Sequence, residues 1–120
     1  MWGEEFLPQV SVLPLVDLVL THGGNNTITE SFHFGKPMVV LPLFWDQYDN
    51  AQRVDETGFG LCLPPYTLEP DQLLGGIDRL LAEHTLAERL SRISARLHAS
   101  PGTIQAADLI ERLAHDRAAR

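Results

Sequence analysis

Apolar residues in this chain come first in short unbroken runs and then, past the middle, at helical spacing. The runs are Leu18-Val19-Leu20, Met38-Val39-Val40-Leu41-Pro42-Leu43 and Leu61-Cys62-Leu63. A short apolar run bounded by turn residues reads as a parallel strand buried on both faces. Asp17 and Thr21-His22 bound the first, and Pro64-Pro65 stops the third. Polar stretches with helix punctuation separate the runs. One predicted helix starts at Asn25 or Asn26, both good N-cap types, and ends at Gly35, with Pro37 preventing continuation. A second spans Gln47 to Thr57 and is closed by Gly58. Ahead of the first strand, residues 6–16 carry two prolines and read as a loop with a helical turn around residues 10–13. The repeated order of strand, loop, helix and strand predicts an α/β fold, a parallel sheet with helices on its faces.

From Thr67 the pattern is helical. Leu73, Leu74, Ile77, Leu80 and Leu81 form one apolar stripe. Gly75-Gly76 are expected to weaken that helix by roughly 1 kcal/mol each relative to alanine. Thr85-x-x-Glu88 reads as a capping box opening the next helix. Its apolar face is Leu86, Leu90, Ile93 and Leu97, and Arg89, Arg92 and Arg96 read as its solvated face. Pro101-Gly102 breaks it, and a last helix runs from about Thr103 towards Arg117. The chain has no internal repeat and no low-complexity segment.

Composition narrows the functional classes. The 120 residues are one domain's worth of sequence, although a layered α/β site usually needs more strands than this length offers. Nine basic against 16 acidic residues give a net charge of −7. That balance argues against nucleic acid or an anionic membrane as partner, since both demand basic patches. An anionic small ligand stays compatible, because local dipoles can outweigh net charge in a cleft. The single cysteine, Cys62, permits no internal disulfide and reads as a small hydrophobe in a buried strand. No apolar run reaches membrane-spanning length, and Met1-Trp2-Gly3-Glu4-Glu5 lacks the basic and apolar regions of a signal peptide. A cytoplasmic location is the expectation.

The chemistry concentrates in His22-Gly23-Gly24-Asn25-Asn26-Thr27-Ile28-Thr29-Glu30 and in Asp46-Gln47. The first segment reads as a strand end, a glycine turn and a helix start. A helix N-terminus leaves backbone N–H groups unsatisfied and carries partial positive charge, so it suits a phosphate. Glu30 lies one turn further on, where a carboxylate could accept from sugar hydroxyls. The combination suggests a nucleotide-sugar site. Two rival readings use the same residues. A metal site from His22, His33 and Asp46 lacks the spacing of a helical histidine pair. A hydrolase using Ser31 and His22 lacks any nucleophile elbow.

Residues 6–50 resemble the donor-binding segment of family 1 glycosyltransferases, which have two facing Rossmann-like domains (the GT-B fold). The matching pieces are Pro8-Gln9, His22-x-Gly24-x-Asn26-Thr27-x-x-Glu30, Gly35-x-Pro37, Pro42, Asp46-Gln47 and Asn50-Ala51. The bacterial macrolide and antibiotic members are the nearest likeness. Asn25 and Phe6 stand where plant members carry Trp, and the spacing from Gln9 to His22 is shorter than theirs. After residue 66 only the general helical character fits.

The resemblance implies a role for each matching residue. Phe6 would stack on the base and Gln9 would bond its edge. His22, Gly24, Asn26 and Thr27 would hold the phosphates, Glu30 the ribose hydroxyls, and Asp46 and Gln47 the transferred sugar. It implies a UDP- or dTDP-sugar donor, transfer of a hexose to a small-molecule acceptor with inversion, and no metal or other cofactor. The family's acceptor site and catalytic base lie in an N-terminal domain with no counterpart here. The expectation is therefore that residues 1–120 are the C-terminal part of the donor domain, a partial Rossmann-like sheet, with no catalytic residue and no activity alone. The alternative is a non-catalytic nucleotide-sugar-binding module, or a subunit completed by a partner chain. A sheet lacking half its strands is also expected to expose apolar surface.

Overall fold

The computed structural model describes residues 3–120; Met1 and Trp2, which open the segment read above for a signal peptide, lie outside the described residues. Three strands, β1 (Val19–Thr21), β2 (Met38–Val40) and β3 (Gly60–Cys62), pair in parallel in that order. Val19 lies opposite Met38, and Met38 opposite Gly60. Parallel neighbours need a crossover. It is supplied by α2 (Asn25–His33) between the first two strands and α3 (Gln47–Glu56) between the last two. A short α1 (Gln9–Val12) and a 3-10 turn at Leu13–Leu15 precede the sheet. Three helices follow it: α4 (Pro70–Ala82), α5 (His84–Ala99) and α6 (Gly102–Ala118).

The central strand carries the core. Side chains alternate across a sheet, so Met38 and Val40 face one side and Val39 the other, and all three are fully buried. Met38 and Val40 pack with Ala51 and Val54 of α3. Val39 packs with Leu61, Leu80, Leu86 and Leu90, which brings in α4 and α5. The edges stay open, as the short sheet led one to expect: Leu20 on β1 is 53% exposed. No residue of α6 is buried, and its Ile104, Leu109, Ile110 and Leu113 all face solvent.

Several local expectations need correction. β2 stops at Val40 and does not run to Leu43. Leu41 still donates to Thr21, but Pro42 has no N–H, and the Leu43 and Phe44 N–H groups turn to the side chain of Gln47. The N-cap of α2 is Gly24, not an asparagine. At its other end the helix closes as expected. Gly35 takes a left-handed conformation and donates to Phe32, while Lys36 donates to Ser31. The capping box expected at Thr85 does not form, because α5 already begins at His84 behind Glu83. It is Gln72 of α4 that reaches back, accepting from the Glu69 N–H at 3.0 Å.

The α4 stripe is narrower than predicted. Leu80 is buried and Leu73 and Ile77 are half-buried, but Leu74 and Leu81 face solvent. Gly76 also has a packing role, since a Cβ there would meet Leu61 Cδ1 at 2.9 Å. Arg89 is not a solvated residue. It donates to the Thr57 carbonyl at 2.7 Å and lies 4.4 Å above the Phe59 ring, tying α5 to the end of α3. Cys62 is exposed rather than buried, because it ends an edge strand. Partial desolvation, and then the Asp55 carboxylate, raise its thiol pKa.

Two measurements follow. A Cβ at Gly60 would lie 2.0 Å from the Met38 carbonyl oxygen, which a rigid strand cannot yield. Gly60→Ala is expected to lower unfolding stability by roughly 2–4 kcal/mol in urea titrations. Gly75 has nothing within 4 Å of such a Cβ, so Gly75→Ala should raise stability by up to about 1 kcal/mol. Alkylation of Cys62 by iodoacetamide near neutral pH should be slower than that of glutathione, because less of its thiol is ionised. Asp55→Asn should speed it.

Candidate functional site

Parallel pairing sets the C-terminal ends of β1 and β2 side by side. The two loops that leave those ends, residues 22–24 and 41–46, carry His22, Gly24 and Asp46, and the helices they open carry Asn26, Thr27, Glu30 and Gln47. Gly23 has φ +95 and is buried against Val40, whose Cγ1 would lie 2.8 Å from any Cβ there. Glycine is therefore required at that turn. Gly24 has an ordinary φ of −64, and a Cβ there would come within 2.7 Å of the exposed His22 ring, so a larger residue would displace that ring.

His22 is exposed, and its Nδ1 accepts the Gly24 N–H at 3.0 Å. An accepting Nδ1 carries no proton, so the neutral ring holds its proton on Nε2 as an outward donor. The start of α2 is equally open. No side chain caps it, its first turn has no acidic residue, and its first helical acceptor, Gly24 O, is taken by Ile28. The N–H groups of Asn25, Asn26 and Thr27 make no hydrogen bond among the described residues. Exposed donors at a helix start, beside an imidazole N–H, are groups of the kind that attract an anion.

Gln9 and Glu30 meet beside this helix start. Leu13, buried at 5% exposure, anchors the α1 segment, and Lys36 Nζ bonds the Pro14 carbonyl at 3.4 Å. The Gln9 amide nitrogen donates to the Glu30 carboxylate and to Thr27 Oγ1. The structure thus brings Gln9, Thr27 and Glu30 together. Phe6 is 91% exposed and packs on nothing.

The second loop ends at Asp46, and Gln47 opens α3 behind it. Asp46 stands at the N-cap of α3 but its side chain does not cap. Its carboxylate instead accepts from the Asn25 amide at 3.1 Å. Gln47 is buried, and its carbonyl oxygen accepts from Leu43 N–H at 2.9 Å and Phe44 N–H at 3.2 Å. It is first of all the strut of its own loop. Its amide nitrogen makes no hydrogen bond, yet no buried side-chain nitrogen or oxygen among the described residues lacks a partner, so that NH2 keeps solvent access. Trp45, between Phe44 and Asp46, has φ +53 and is 84% exposed. A bulky residue held in the left-handed region costs roughly 1–2 kcal/mol. The Gln47 bonds on one side and the Tyr48 N–H to the Trp45 carbonyl on the other hold it there.

The rival readings lose their geometry. Ser31 is fully buried and donates to the Thr27 carbonyl at 2.7 Å, so no substrate reaches it. His33 stacks on His98 with ring centroids 3.9 Å apart, and no metal-competent cluster of His, Cys, Asp or Glu occurs among the described residues. No helix of the described residues is long and apolar enough to cross a membrane.

With the geometry in place, comparison with known proteins is informative. The solved glycosyltransferase of kitacinnamycin superposes with a TM-score of 0.83 at 41% identity, covering 89% of this chain and 28% of that one. Glycosyltransferase VinC, solved in complex with dTDP, gives 0.76 at 29% identity over 90% of this chain and 28% of that one. The fold is that of GT-B glycosyltransferases. A protein described as uncharacterized UDP-glucosyltransferase YojK, from Bacillus subtilis, is 32% identical over 105 residues, which are 88% of this chain and 26% of that protein. Residues 3–113 match the erythromycin biosynthesis protein CIII-like, C-terminal domain family, and the chain belongs to that family. It spans about a quarter of the length of the relatives it matches.

The Gly24 bond to His22 is open to direct observation. Nitrogen-15 spectra of the neutral imidazole should show an unprotonated Nδ1 and a protonated Nε2. Gly24→Ala, which displaces the ring, should average the two tautomers.

Proposed function

We propose that this chain forms the donor side of a glycosyltransferase and binds a UDP- or dTDP-sugar. The observation that carries the reading is the set of unsatisfied N–H groups at Asn25, Asn26 and Thr27 beside the outward Nε2 of His22. These donors match a diphosphate, whose oxygens need several N–H partners. Glu30 takes the ribose hydroxyls, Gln9 the base edge and Phe6 the base face. Asp46 and the Gln47 NH2 take hydroxyls of the transferred hexose. Both nucleotide classes have precedent in the relatives' names, a UDP-glucosyltransferase in one case and a dTDP complex in the other.

In the complete enzyme the acceptor hydroxyl oxygen attacks the anomeric carbon from the face opposite the phosphate. The bond from that carbon to the β-phosphate oxygen breaks, its electron pair stays on phosphate, and configuration inverts. A base outside this chain takes the hydroxyl proton. The role of this chain is to hold the leaving diphosphate, whose growing negative charge is met by His22, Asn26, Thr27 and the α2 N-terminus. Those donors supply the stabilisation without a metal ion.

Two-dimensional NMR titration of the chain with UDP, dTDP and ADP tests the reading. Saturable shifts of the Gly24, Asn26 and Thr27 amides with UDP or dTDP are expected, with a weaker response to ADP. His22→Ala and Glu30→Ala should each remain folded and weaken binding by roughly tenfold or more, as loss of a charge-assisted bond requires. A dispersed spectrum indifferent to all three nucleotides would overturn it.

A further inference from the structure

The side-chain amides of Asn25 and Asn50 have been given no role in recognition so far, yet they join the two loops of the site. The Asn50 amide nitrogen donates to the Gly23 carbonyl at 2.8 Å and to Asn25 Oδ1 at 2.8 Å. The Asn25 amide nitrogen donates in turn to Asp46 Oδ2 at 3.1 Å. The backbone fixes the direction of this chain. A carbonyl can only accept, so the Asn50 NH2 must face Gly23, and both of its protons are then used. Asn25 must present its oxygen to Asn50, which leaves its NH2 for the Asp46 carboxylate. Reversing either amide would set oxygen against oxygen.

We infer that Asn50 and Asn25 are positioning residues that tie the sugar-facing carboxylate of Asp46 to the phosphate loop at Gly23, and so govern recognition of the sugar rather than of the nucleotide. The inference rests on the donor-site reading above. Asp46 does not cap its helix, so nothing else among the described residues orients its carboxylate. Asn25 sits at the first position of α2, with its own N–H in the phosphate seat. Asn50 lies one turn into α3 and is half-buried, so it reaches the sugar only through its neighbours. A diphosphate drawn onto the α2 N-terminus therefore acts on the same turn that the amide chain grips, and orders Asp46 for the sugar beyond it.

The test compares UDP with UDP-glucose, and dTDP with dTDP-glucose, by calorimetry on the full chain. The readout is the ratio of the two dissociation constants, the sugar's own contribution. General damage to the fold or the phosphate loop cancels from it. Asn50→Asp keeps the shape but inverts the polarity facing Gly23 and Asn25. It should reduce the ratio by roughly tenfold, the size of one hydrogen bond to a charged group. Asp46→Ala should do the same, and the double variant should lose no more than either alone, because residues acting as one unit are not additive. Should Asn50→Asp fail to fold, Asn25→Asp at the exposed helix start sets a second carboxylate against Asp46 and should reduce the ratio similarly. Losses that multiply in the double variant, or an unchanged ratio in a folded Asn50→Asp or Asn25→Asp, would overturn the inference. So would wild-type chain that binds the nucleotides but gains nothing from the sugar, although the donor reading would stand. If the wild-type chain binds no nucleotide, both fall together.

Discussion

Parallel pairing of β1 with β2 is the constraint on which the rest depends. Two parallel neighbours cannot be joined by a hairpin, so the chain crosses back through α2 and both strands end at the same edge of the sheet. That shared edge brings Gly23 and Asn25 within bonding distance of Asp46 and Asn50. The full burial of Met38, Val39 and Val40 holds this arrangement, since a slip of one residue in β2 would exchange the two core faces.

A second theme is competition for local hydrogen bonds. Asparagine and aspartate beside a helix start ordinarily cap it. Asp46 stands at the N-cap of α3 but turns to Asn25, the first residue of α2, instead of capping. The α2 start stays unsatisfied because its own N-cap, Gly24, has no side chain. Gln47 spends its carbonyl oxygen on the N–H groups of Leu43 and Phe44, which ends β2 early and holds Trp45 in the left-handed region. Side chains that could have stabilised their own helices instead shape the loops between them.

Much of this was legible in the sequence. The apolar runs located all three strands, and Gly35, Pro37 and Gly58 marked helix ends, because steric punctuation acts locally. The matching motif gathered Gln9, His22, Thr27 and Glu30, and the structure sets Gln9, Thr27 and Glu30 in contact. What escaped were choices among partners distant along the chain. Thr85 reads as a cap until Glu83 takes the position, and Arg89 reads as solvated until Thr57 and Phe59 appear beneath it. Cys62 reads as core until the sheet proves to end at its own strand. Asn50 was visible only as a motif match, since the direction of an amide chain is set by a backbone carbonyl that no pattern displays.

The bond between Gln9 and Glu30 sets a threshold for any ligand that would use either group. Each group already has a partner in the other, so a ligand gains only the difference between the bonds it offers and the one it displaces. The pair is exposed, so water takes up whichever group a ligand leaves free, and nothing is stranded. On the proposed reading, a nucleotide that offers both a diol and a ring edge replaces both halves of the pair at once, whereas a fragment replaces only one.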